Sequence, residues 1–442
     1  MEIVEGKFNG PEKALEDTIF SISIDSRTIN KDDLYIAIEG VNFDGNHFVK
    51  NAMKNGAKFS IVSDPEVNYE GTILVSSGRE SLIKIASRIR EKFQPKVIAI
   101  TGSNGKTTTK EIIVSILKNY CDKEQILFTK GNFNNDIGLP LTMLDLNKSH
   151  KYVVLELGMN HAGEIADLSK IAQPHVAVIT NIGEAHIENF KSKYNIAEAK
   201  KEILSHSNKL EFAVLPSDDY YFTFLNEGGS NLNKVTFGSL EESTISYKAS
   251  EDRKIKIVTP KESFNVKINL LGTHNLQNVL AACACCYSLG IPVHAIKIGI
   301  EEIKPFSGRL EAISAVKGAT VIDDSYNANP SSMKEAIDVL LSMKGTRILV
   351  IGDMAELGDD TNKYHQELGD YIQASKIDFT LAIGRHTKLT MQQLGKKEFW
   401  FDSKDALVSK LLKVMDSKST VLVKGSRFMK MEDIVNKLKV EK

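Results

Sequence analysis

The sequence predicts an α/β protein of three domains: a small α/β domain at 1–95, a central domain at 96–307 and a third at 308–442. Its 442 residues exceed what one hydrophobic core usually supports. From residue 96 onward, apolar β-branched runs alternate with helical patterns, which is typical of a parallel sheet. This strand and helix rhythm restarts after Gly308, so the third domain is expected to hold a second parallel sheet of Rossmann-like form.

The first domain has short apolar runs at 21–24, 34–38, 59–62 and 72–75, and a basic helix that ends before Pro95. Ser26 and Arg27 follow the first of these strands. A hydroxyl and a guanidinium at a strand end could hold a phosphate or a uracil, or they could form a surface turn with a salt bridge to Asp25. The residues alone favour the turn.

The central domain begins with a strand at 96–101, a glycine loop from Gly102 to Gly105, and a helix that starts near Lys106. Loop N–H groups and the helix start attract phosphate, Lys106 can reach the β- and γ-phosphates, and Thr107 can ligate Mg²⁺. The full Walker pattern fails because position 100 is Ile, and the alternative is a helix start with a solvated lysine. The predicted ATP-binding residues of this P-loop are Gly102, Ser103, Asn104, Gly105, Lys106, Thr107 and Thr108.

Two further strands of the same sheet, at 152–158 and 176–182, end in polar residues. Glu156 stands where a P-loop enzyme needs a carboxylate for Mg²⁺, although it could simply pair with a lysine. His186 follows the next strand and could face the same ion. Lys200 lies on a later helix, where the pattern alone indicates a solvated face. Short strands within 234–271 predict an antiparallel edge to the sheet.

Amide side chains occur in two further segments of the central domain. Asn132, Asn134 and Asn135 could cap turns or contact a peptide-like substrate. Asn275 and Asn278 open a buried helix, where they could cap its first turns or contact a base.

The third domain has predicted strands near 318–324, 347–352, 379–384 and 420–424, with helices near 331–343, 362–374, 404–415 and 429–438. Arg309 lies on the connection into this domain and can meet a phosphate only if the domains close. Asp324 ends the first of these strands and begins the segment Asp-Ser-Tyr-Asn-Ala-Asn-Pro.

Composition excludes several function classes. The formal net charge of −1 gives no basic excess for nucleic acid. The longest uncharged stretch, 268–296, is interrupted by polar residues and Pro292, so we expect no stable membrane insertion. The N-terminus does not read as a signal peptide, and four cysteines without a disulfide framework agree with a cytoplasmic protein. A monomer is the default expectation.

Taken together and in order, these motifs resemble the Mur ligase family. The resemblance is carried by Asp25-Ser-Arg27, Thr101-Gly-Ser-Asn-Gly-Lys-Thr-Thr108, Gly131-Asn-Phe-Asn-Asn135, Glu156-Leu-Gly158, Thr180-Asn-Ile182 with His186, Ala199-Lys200, His274-Asn275 with Asn278, Gly308-Arg309, Asp324 to Pro330, Gly352 to Gly358 and Lys424 to Arg427. It implies an ATP-dependent ligase of peptidoglycan precursor synthesis. The most similar branch joins D-alanyl-D-alanine to UDP-N-acetylmuramoyl-tripeptide through an acyl phosphate.

The resemblance also implies residue roles. Lys106, Lys200 and His186 would be catalytic, and Thr107 and Glu156 would hold one Mg²⁺. Lys200 would be carbamylated by CO₂ and would hold a second Mg²⁺ together with His186. Asn275 and Asn278 would approach adenine, Arg309 the phosphates and Asp324 the ribose of ATP. The residues expected to bind the other substrates are Ser26, Arg27, Asn132, Asn134, Asn135, Tyr326, Asn327 and Asn329.

The sequence departs from the family pattern at two places. Asn46 stands where the family usually has a histidine, and Pro216 replaces the usual asparagine of a later motif. Three alternatives remain at this stage: a sister ligase that adds a single amino acid, an enzyme of folate polyglutamylation, and a P-loop ATPase that is not a ligase.

Overall fold

The computed structural model describes residues 3–40, 42–249, 254–394 and 399–440. Three mostly parallel sheets follow one another along the chain, and a small antiparallel sheet lies between the second and the third. This arrangement confirms the predicted α/β class. The exact domain boundaries after residues 95 and 307 stay predictions.

The first sheet has five strands in the order β1-β5-β4-β3-β2. The four strands predicted from the sequence are present and parallel to their neighbours, and β1 adds an antiparallel edge that was not predicted. The elements are β1 Lys7–Asn9, β2 Ile22–Ser23, β3 Asp33–Ile36, α1 Val49–Lys54, β4 Ala57–Val62, β5 Thr72–Leu74 and α2 Gly78–Lys92.

The second sheet has six parallel strands in the order β11-β10-β9-β6-β8-β7. The strand that leads into the glycine loop, β6, therefore lies between the two strands that end near Glu156 and His186. The elements are β6 Lys96–Thr101, α3 Lys106–Lys118, β7 Ile126–Phe128, α4 Gly138–Leu144, β8 Tyr152–Glu156, α5 Glu164–Ala172, β9 Val176–Ile179, α6 Ile187–Phe190, α7 Lys193–Lys201, β10 Phe212–Pro216, α8 Phe222–Asn226 and β11 Asn233–Phe237.

The antiparallel strands occur as predicted, but they are not an edge of the central sheet. They form a separate sheet in the order β12-β13-β14. The edge itself is β11, which pairs parallel with β10 because helix α8 supplies the crossover that a parallel neighbour needs. The separate strands are β12 Ser246–Ala249, β13 Ile255–Val258 and β14 Ser263–Val266.

The third sheet has the order β15-β16-β20-β17-β18-β19, and only the β15 edge is antiparallel. The four predicted strands and four predicted helices are confirmed, with ends shifted by up to three residues. Helices α9 and α10 precede this sheet in the chain and pack on α3 of the central domain. The elements are α9 Thr273–Ser288, α10 Val293–Glu301, β15 Glu311–Ser314, β16 Thr320–Asp324, α11 Pro330–Leu341, β17 Thr346–Ile351, α12 Thr361–Ala374, β18 Phe379–Ile383, α13 Thr387–Gln393, β19 Trp400–Phe401, α14 Lys404–Val414, β20 Ser419–Lys424 and α15 Glu432–Leu438.

The central sheet is buried on both faces. Ile98 and Ile100 of β6 pack with α3 and α9, whereas Val97 and Ala99 pack against α5 and α7. Such two-sided burial explains the continuous apolar run of this strand. A strand fixed on both faces holds the start of the glycine loop rigidly.

Helix α9 is the buried helix predicted from the uncharged stretch. Its three cysteines are fully buried and unpaired, and burial raises the pKa of the Cys283 thiol to about 12. These thiols are therefore core residues and not reactive groups. Among the described residues, no helix combines the length and the hydropathy that a membrane span requires.

Candidate active site

The glycine loop depends on its two glycines. Gly102 has φ +152° and Gly105 has φ +80°. A Cβ on Gly102 would lie 1.8 Å from Thr180 Oγ1, and one on Gly105 would lie 2.1 Å from Asn278 Oδ1. Helix α3 begins directly after Gly105 without a side-chain cap. Its first N–H groups can therefore bind an anion.

Lys106 folds over this loop. Its Nζ donates a hydrogen bond to the Gly102 carbonyl oxygen across 2.6 Å. Desolvation by the surrounding protein lowers the pKa of Lys106 to about 8, while Glu156 opposes that shift. The cation thus lies beside the loop N–H groups, where phosphate oxygens would restore its charged form.

Thr107 and Glu156 meet at the end of the sheet as predicted. Thr107 Oγ1 donates to Glu156 Oε2 across 3.1 Å. The other carboxylate oxygen lies 3.3 Å from Lys110 Nζ, yet it has no hydrogen-bond partner, although Glu156 is only 2% exposed. An incompletely satisfied buried carboxylate beside a hydroxyl provides the oxygen ligands that Mg²⁺ prefers.

Two residues of the third domain reach the same loop. Arg309 Nη2 donates to Thr107 Oγ1 across 3.1 Å, and its guanidinium lies 4.2 Å from the centre of the Tyr326 ring. Asp324 Oδ2 accepts a hydrogen bond of 2.6 Å from Lys424. Burial raises the pKa of Asp324, and Lys424 opposes this shift. The third domain thus contributes an arginine and a buried acid to the site.

The imidazole of His186 contacts a carboxylate, whereas the side chain of Lys200 is buried. His186 has φ +59°, and its Nδ1 lies 2.7 Å from Glu356 Oε2, whose pKa is lowered by that contact. Lys200 is 2% exposed, and its amine forms no hydrogen bond or ion pair within the described ranges. Burial, helped by the charge of Lys106, holds the pKa of Lys200 well below its usual value. The predicted solvated face of α7 is therefore wrong for Lys200.

The start of α9 lies against the loop. Asn275 donates to the Leu271 carbonyl and accepts from Asn278, whose Oδ1 packs against Gly105. Beside them, burial lowers the pKa of His274 to about 4 and raises that of Glu335 to about 7. His274 is therefore largely neutral near pH 7, whereas the pKa of Glu335 leaves its carboxyl about half protonated there.

A cavity of about 340 Å³ joins these groups. It contains most of the predicted site residues from the second and third domains. Four others, Gly102, Lys200, Ser26 and Arg27, do not line it. The predicted residues that line it are Ser103, Asn104, Gly105, Lys106, Thr107, Thr108, Asn132, Asn134, Asn135, Glu156, His186, Asn275, Asn278, Arg309, Asp324, Tyr326, Asn327 and Asn329.

The predicted residues of the first domain form a turn away from this cavity. Arg27 pairs with Asp25 across 2.7 Å, and its side chain is 83% exposed. Asn46 is buried and binds Asp44 and Ser63 through its side chain. Asn46 therefore stabilises its own loop, which gives a structural reason for an amide at this position. The binding role of Ser26 and Arg27 stays a prediction.

Sequence reasoning missed three charged groups at this site. Lys110 is 1% exposed and bonds to the Thr129 carbonyl beside Glu156. Glu335 and Glu356 line the cavity from the third domain. The spacing of Lys110 from Thr107 on α3 could have placed both on one helix face. Glu356 lies within the segment Gly352 to Gly358 of the family resemblance, whereas no local pattern distinguishes Glu335 from a solvated glutamate.

A strand, a glycine loop and a helix, with a carboxylate on the neighbouring strand and an arginine from another domain, define a nucleotide-binding P-loop enzyme. The chain belongs to the Mur ligase family. Three family descriptions match it in order: "Mur ligase family, catalytic domain" at residues 18–101, "Mur ligase middle domain" at 100–286 and "Mur ligase, glutamate ligase domain" at 308–427.

Similar proteins cover nearly the whole chain. The UDP-N-acetylmuramoyl-tripeptide–D-alanyl-D-alanine ligase of Haemophilus influenzae is 34% identical, across 99% of this chain and 97% of the relative. The Escherichia coli protein of the same name is 35% identical, across 97% and 96%.

Solved structures of similar proteins superpose on nearly the whole chain. MurF from Acinetobacter baumannii superposes with a TM-score of 0.89 at 34% identity, across 96% of this chain and 94% of that one. The MurF ligase from Thermotoga maritima in complex with ADP gives a TM-score of 0.82 at 29% identity, across 94% and 96%.

Proposed function

We propose that this enzyme joins D-alanyl-D-alanine to UDP-N-acetylmuramoyl-tripeptide at the expense of ATP, in cytoplasmic peptidoglycan precursor synthesis. The observation that carries the proposal is the placement of the Thr107 hydroxyl between Glu156 and Arg309, at the mouth of a phosphate loop. The near full-length similarity to ligases named for this reaction supports the choice of substrates.

The reaction has two steps. A carboxylate oxygen of the tripeptide attacks the γ-phosphorus of ATP, and ADP leaves as the acyl phosphate forms. The neutral amine of the dipeptide then attacks the acyl carbon, the C–O bond to phosphate breaks, and inorganic phosphate leaves with the proton that the amine gives up. Both reactants of the first step are anions, so the positive charges of Lys106 and Arg309 must offset their repulsion.

Mg²⁺ fits the donor set at the loop. Thr107 and Glu156 would hold one ion, and ATP oxygens and water would complete its coordination, as is usual for Mg²⁺. When bound, Mg²⁺ supplies charge neutralisation at the transferred phosphoryl group.

We assign Lys200 as a carbamylated lysine. Its pKa is held well below the usual value, so the neutral amine is available to attack CO₂; a new N–C bond forms and one proton leaves. The carbamate would replace the Lys200 cation by an anion, and together with His186 it would hold a second Mg²⁺. The burial of the Lys200 side chain, which is 2% exposed, supports this role.

The other predicted substrate contacts are assigned from where the residues lie along the cavity. Asn275, Asn278 and Asp324 lie on the side where α9 meets the third domain, which suits the nucleoside of ATP. Substrate peptides would meet the asparagine loop, which supplies neutral donors and acceptors. The UDP moiety would bind the first domain at Ser26 and Arg27. The residues proposed for the peptide end are Asn132, Asn134, Asn135, Tyr326, Asn327 and Asn329.

Product identification tests the proposed substrates. Purified enzyme is incubated with ATP, Mg²⁺, UDP-N-acetylmuramoyl-tripeptide and D-alanyl-D-alanine, and the product is weighed by mass spectrometry. We expect the UDP-linked pentapeptide. A parallel incubation contains the UDP-linked dipeptide and single amino acids instead of these two substrates. Product in that incubation, without pentapeptide in the first, would assign the protein to a sister branch instead.

A further inference from the structure

The tip of the phosphate loop contacts the third domain through one side chain, that of Asn104. Asn104 Oδ1 accepts from Asn329 Nδ2 across 2.9 Å, and Asn104 Nδ2 donates to Ser331 Oγ across 3.0 Å. The acceptor and the donor of the amide are thus each matched by a complementary group more than 220 positions away in sequence.

The backbone of Asn104 is fixed from the opposite side. Its N–H donates to Asn181 Oδ1 across 2.9 Å, and its carbonyl accepts from Asn181 Nδ2 and from Thr180 Oγ1. Because the end of β9 holds the main chain, the side chain is presented toward the third domain. Loss of that side chain would leave these backbone bonds in place.

The partners of Asn104 are also preorganised. Asn329 is the N-cap of α11, and its Oδ1 accepts from Ser332 N and from Ser331 Oγ. Gly183 allows the close approach, since a Cβ there would lie 3.0 Å from Ser331 Oγ. Three segments therefore converge at one point: the phosphate loop, the chain after β9 and the first turn of α11.

We propose that Asn104 is a positioning residue that fastens the phosphate loop to the first turn of α11 and so holds the third domain closed during ligation. In its catalytic part the proposal rests on the function proposed above. Closure brings Arg309 to the loop, and Arg309 lies on the connection into that domain. Asn104 thereby affects the reaction through domain position and not through contact with the phosphates.

The kinetic test uses Asn104→Ala, Ser331→Ala, the double variant, and Ser342→Ala as a control. Ser342 ends the same helix, and its hydroxyl bonds only to Val339 O. One neutral hydrogen bond changes an equilibrium constant by about fivefold. We expect kcat for ligation to fall about fivefold in Ser331→Ala and further in Asn104→Ala, with the KM for ATP within about threefold. Ser342→Ala should match the wild type.

The double variant separates this proposal from a phosphate-binding role. It should be no worse than Asn104→Ala, because Ser331 has already lost its partner in the other domain. If the fold-losses in kcat of the two single variants multiply in the double variant, the proposal is overturned. A raised KM for ATP in Asn104→Ala, together with wild-type kinetics in Ser331→Ala, would also overturn it.

Small-angle X-ray scattering gives a readout that is independent of ligation. With ADP and Mg²⁺ present, we expect the wild type to be more compact than Asn104→Ala. If the wild type makes no pentapeptide but this difference is found, the fastening role stands and the proposed function fails. If pentapeptide forms and neither scattering nor kcat changes, the fastening role is wrong.

Discussion

Arg309 Nη2 and Thr107 Oγ1 lie 3.1 Å apart, although they belong to different domains. The same hydroxyl donates to Glu156, so it links the carboxylate of the central sheet to the guanidinium from the third domain. Tyr326 fixes the guanidinium by stacking at 4.2 Å. The phosphate loop therefore has an arginine beside it only when the third domain lies against it.

Arg309→Lys tests this contact. Lysine keeps the charge but loses the planar donors and the stacking on Tyr326, so we expect kcat/KM for ATP to fall by about 10²-fold, as for the loss of an oriented transition-state donor. The control is Arg88→Lys, because Arg88 is exposed, pairs with Glu91 and lies outside the cavity lining. Equal effects of the two changes would show that the contact with Thr107 has no special role.

Lys200→Ala tests the carbamate. We expect nearly all ligation to be lost and partly restored by added short carboxylates, since these can replace the missing anion. With ¹³C-bicarbonate, the wild type should show a carbamate carbon signal by NMR that the variant lacks. Lys201→Ala is the matched control, because Lys201 lies over the Phe224 ring instead. An active Lys200→Ala enzyme would reject the assignment.

Glu156→Gln tests the Mg²⁺ site. The amide keeps the size of the side chain but loses its charge, and we expect the Mg²⁺ concentration for half-maximal activity to rise by roughly tenfold or more. Glu111→Gln is the control, since Glu111 also contacts Lys110, at 2.8 Å, but lies outside the cavity lining. If both variants need the same extra Mg²⁺, the effect comes from Lys110 and not from a metal ligand.

The raised pKa of Glu335 predicts that the free energy of unfolding depends on pH. Burial raises its pKa from 4.5 to about 7, so the folded protein binds more protons than the unfolded chain between these values. Its contribution to the free energy of unfolding therefore decreases as pH rises from about 4.5 to 7. Glu335→Gln removes this titration, and we expect its Tm to exceed that of the wild type at pH 8 more than at pH 5. An unchanged Tm difference across that range would contradict the shift.

Much of the fold could be predicted from the sequence because its strands are buried on both faces and its helices are amphipathic. Edge strands such as β1, β7 and β15 were missed, since runs of three or four residues are too short to show a period. Strand 233–237 was placed in an antiparallel edge because periodicity shows that a strand exists but not which neighbour it joins.

The candidate site residues that lie at or shortly after the end of a strand, such as Glu156 and Lys106, were predictable from the sequence. The burial of Lys200 was not predictable, because a lysine in an amphipathic pattern is usually solvated, and its burial depends on the packing of α7 beneath the sheet. Glu335 and the partners of Asn104 come from a distant segment, so only the folded chain brings them to the loop.

The most direct test of the central claim is phosphate release with each substrate omitted in turn. With ATP, Mg²⁺, UDP-N-acetylmuramoyl-tripeptide and D-alanyl-D-alanine together, we predict sustained release of one phosphate for each pentapeptide formed. Omission of either the tripeptide nucleotide or the dipeptide should reduce release to background, with both lysine- and diaminopimelate-containing tripeptides assayed. Brisk ATP turnover without both substrates would contradict the ligase assignment and indicate a P-loop ATPase of another kind.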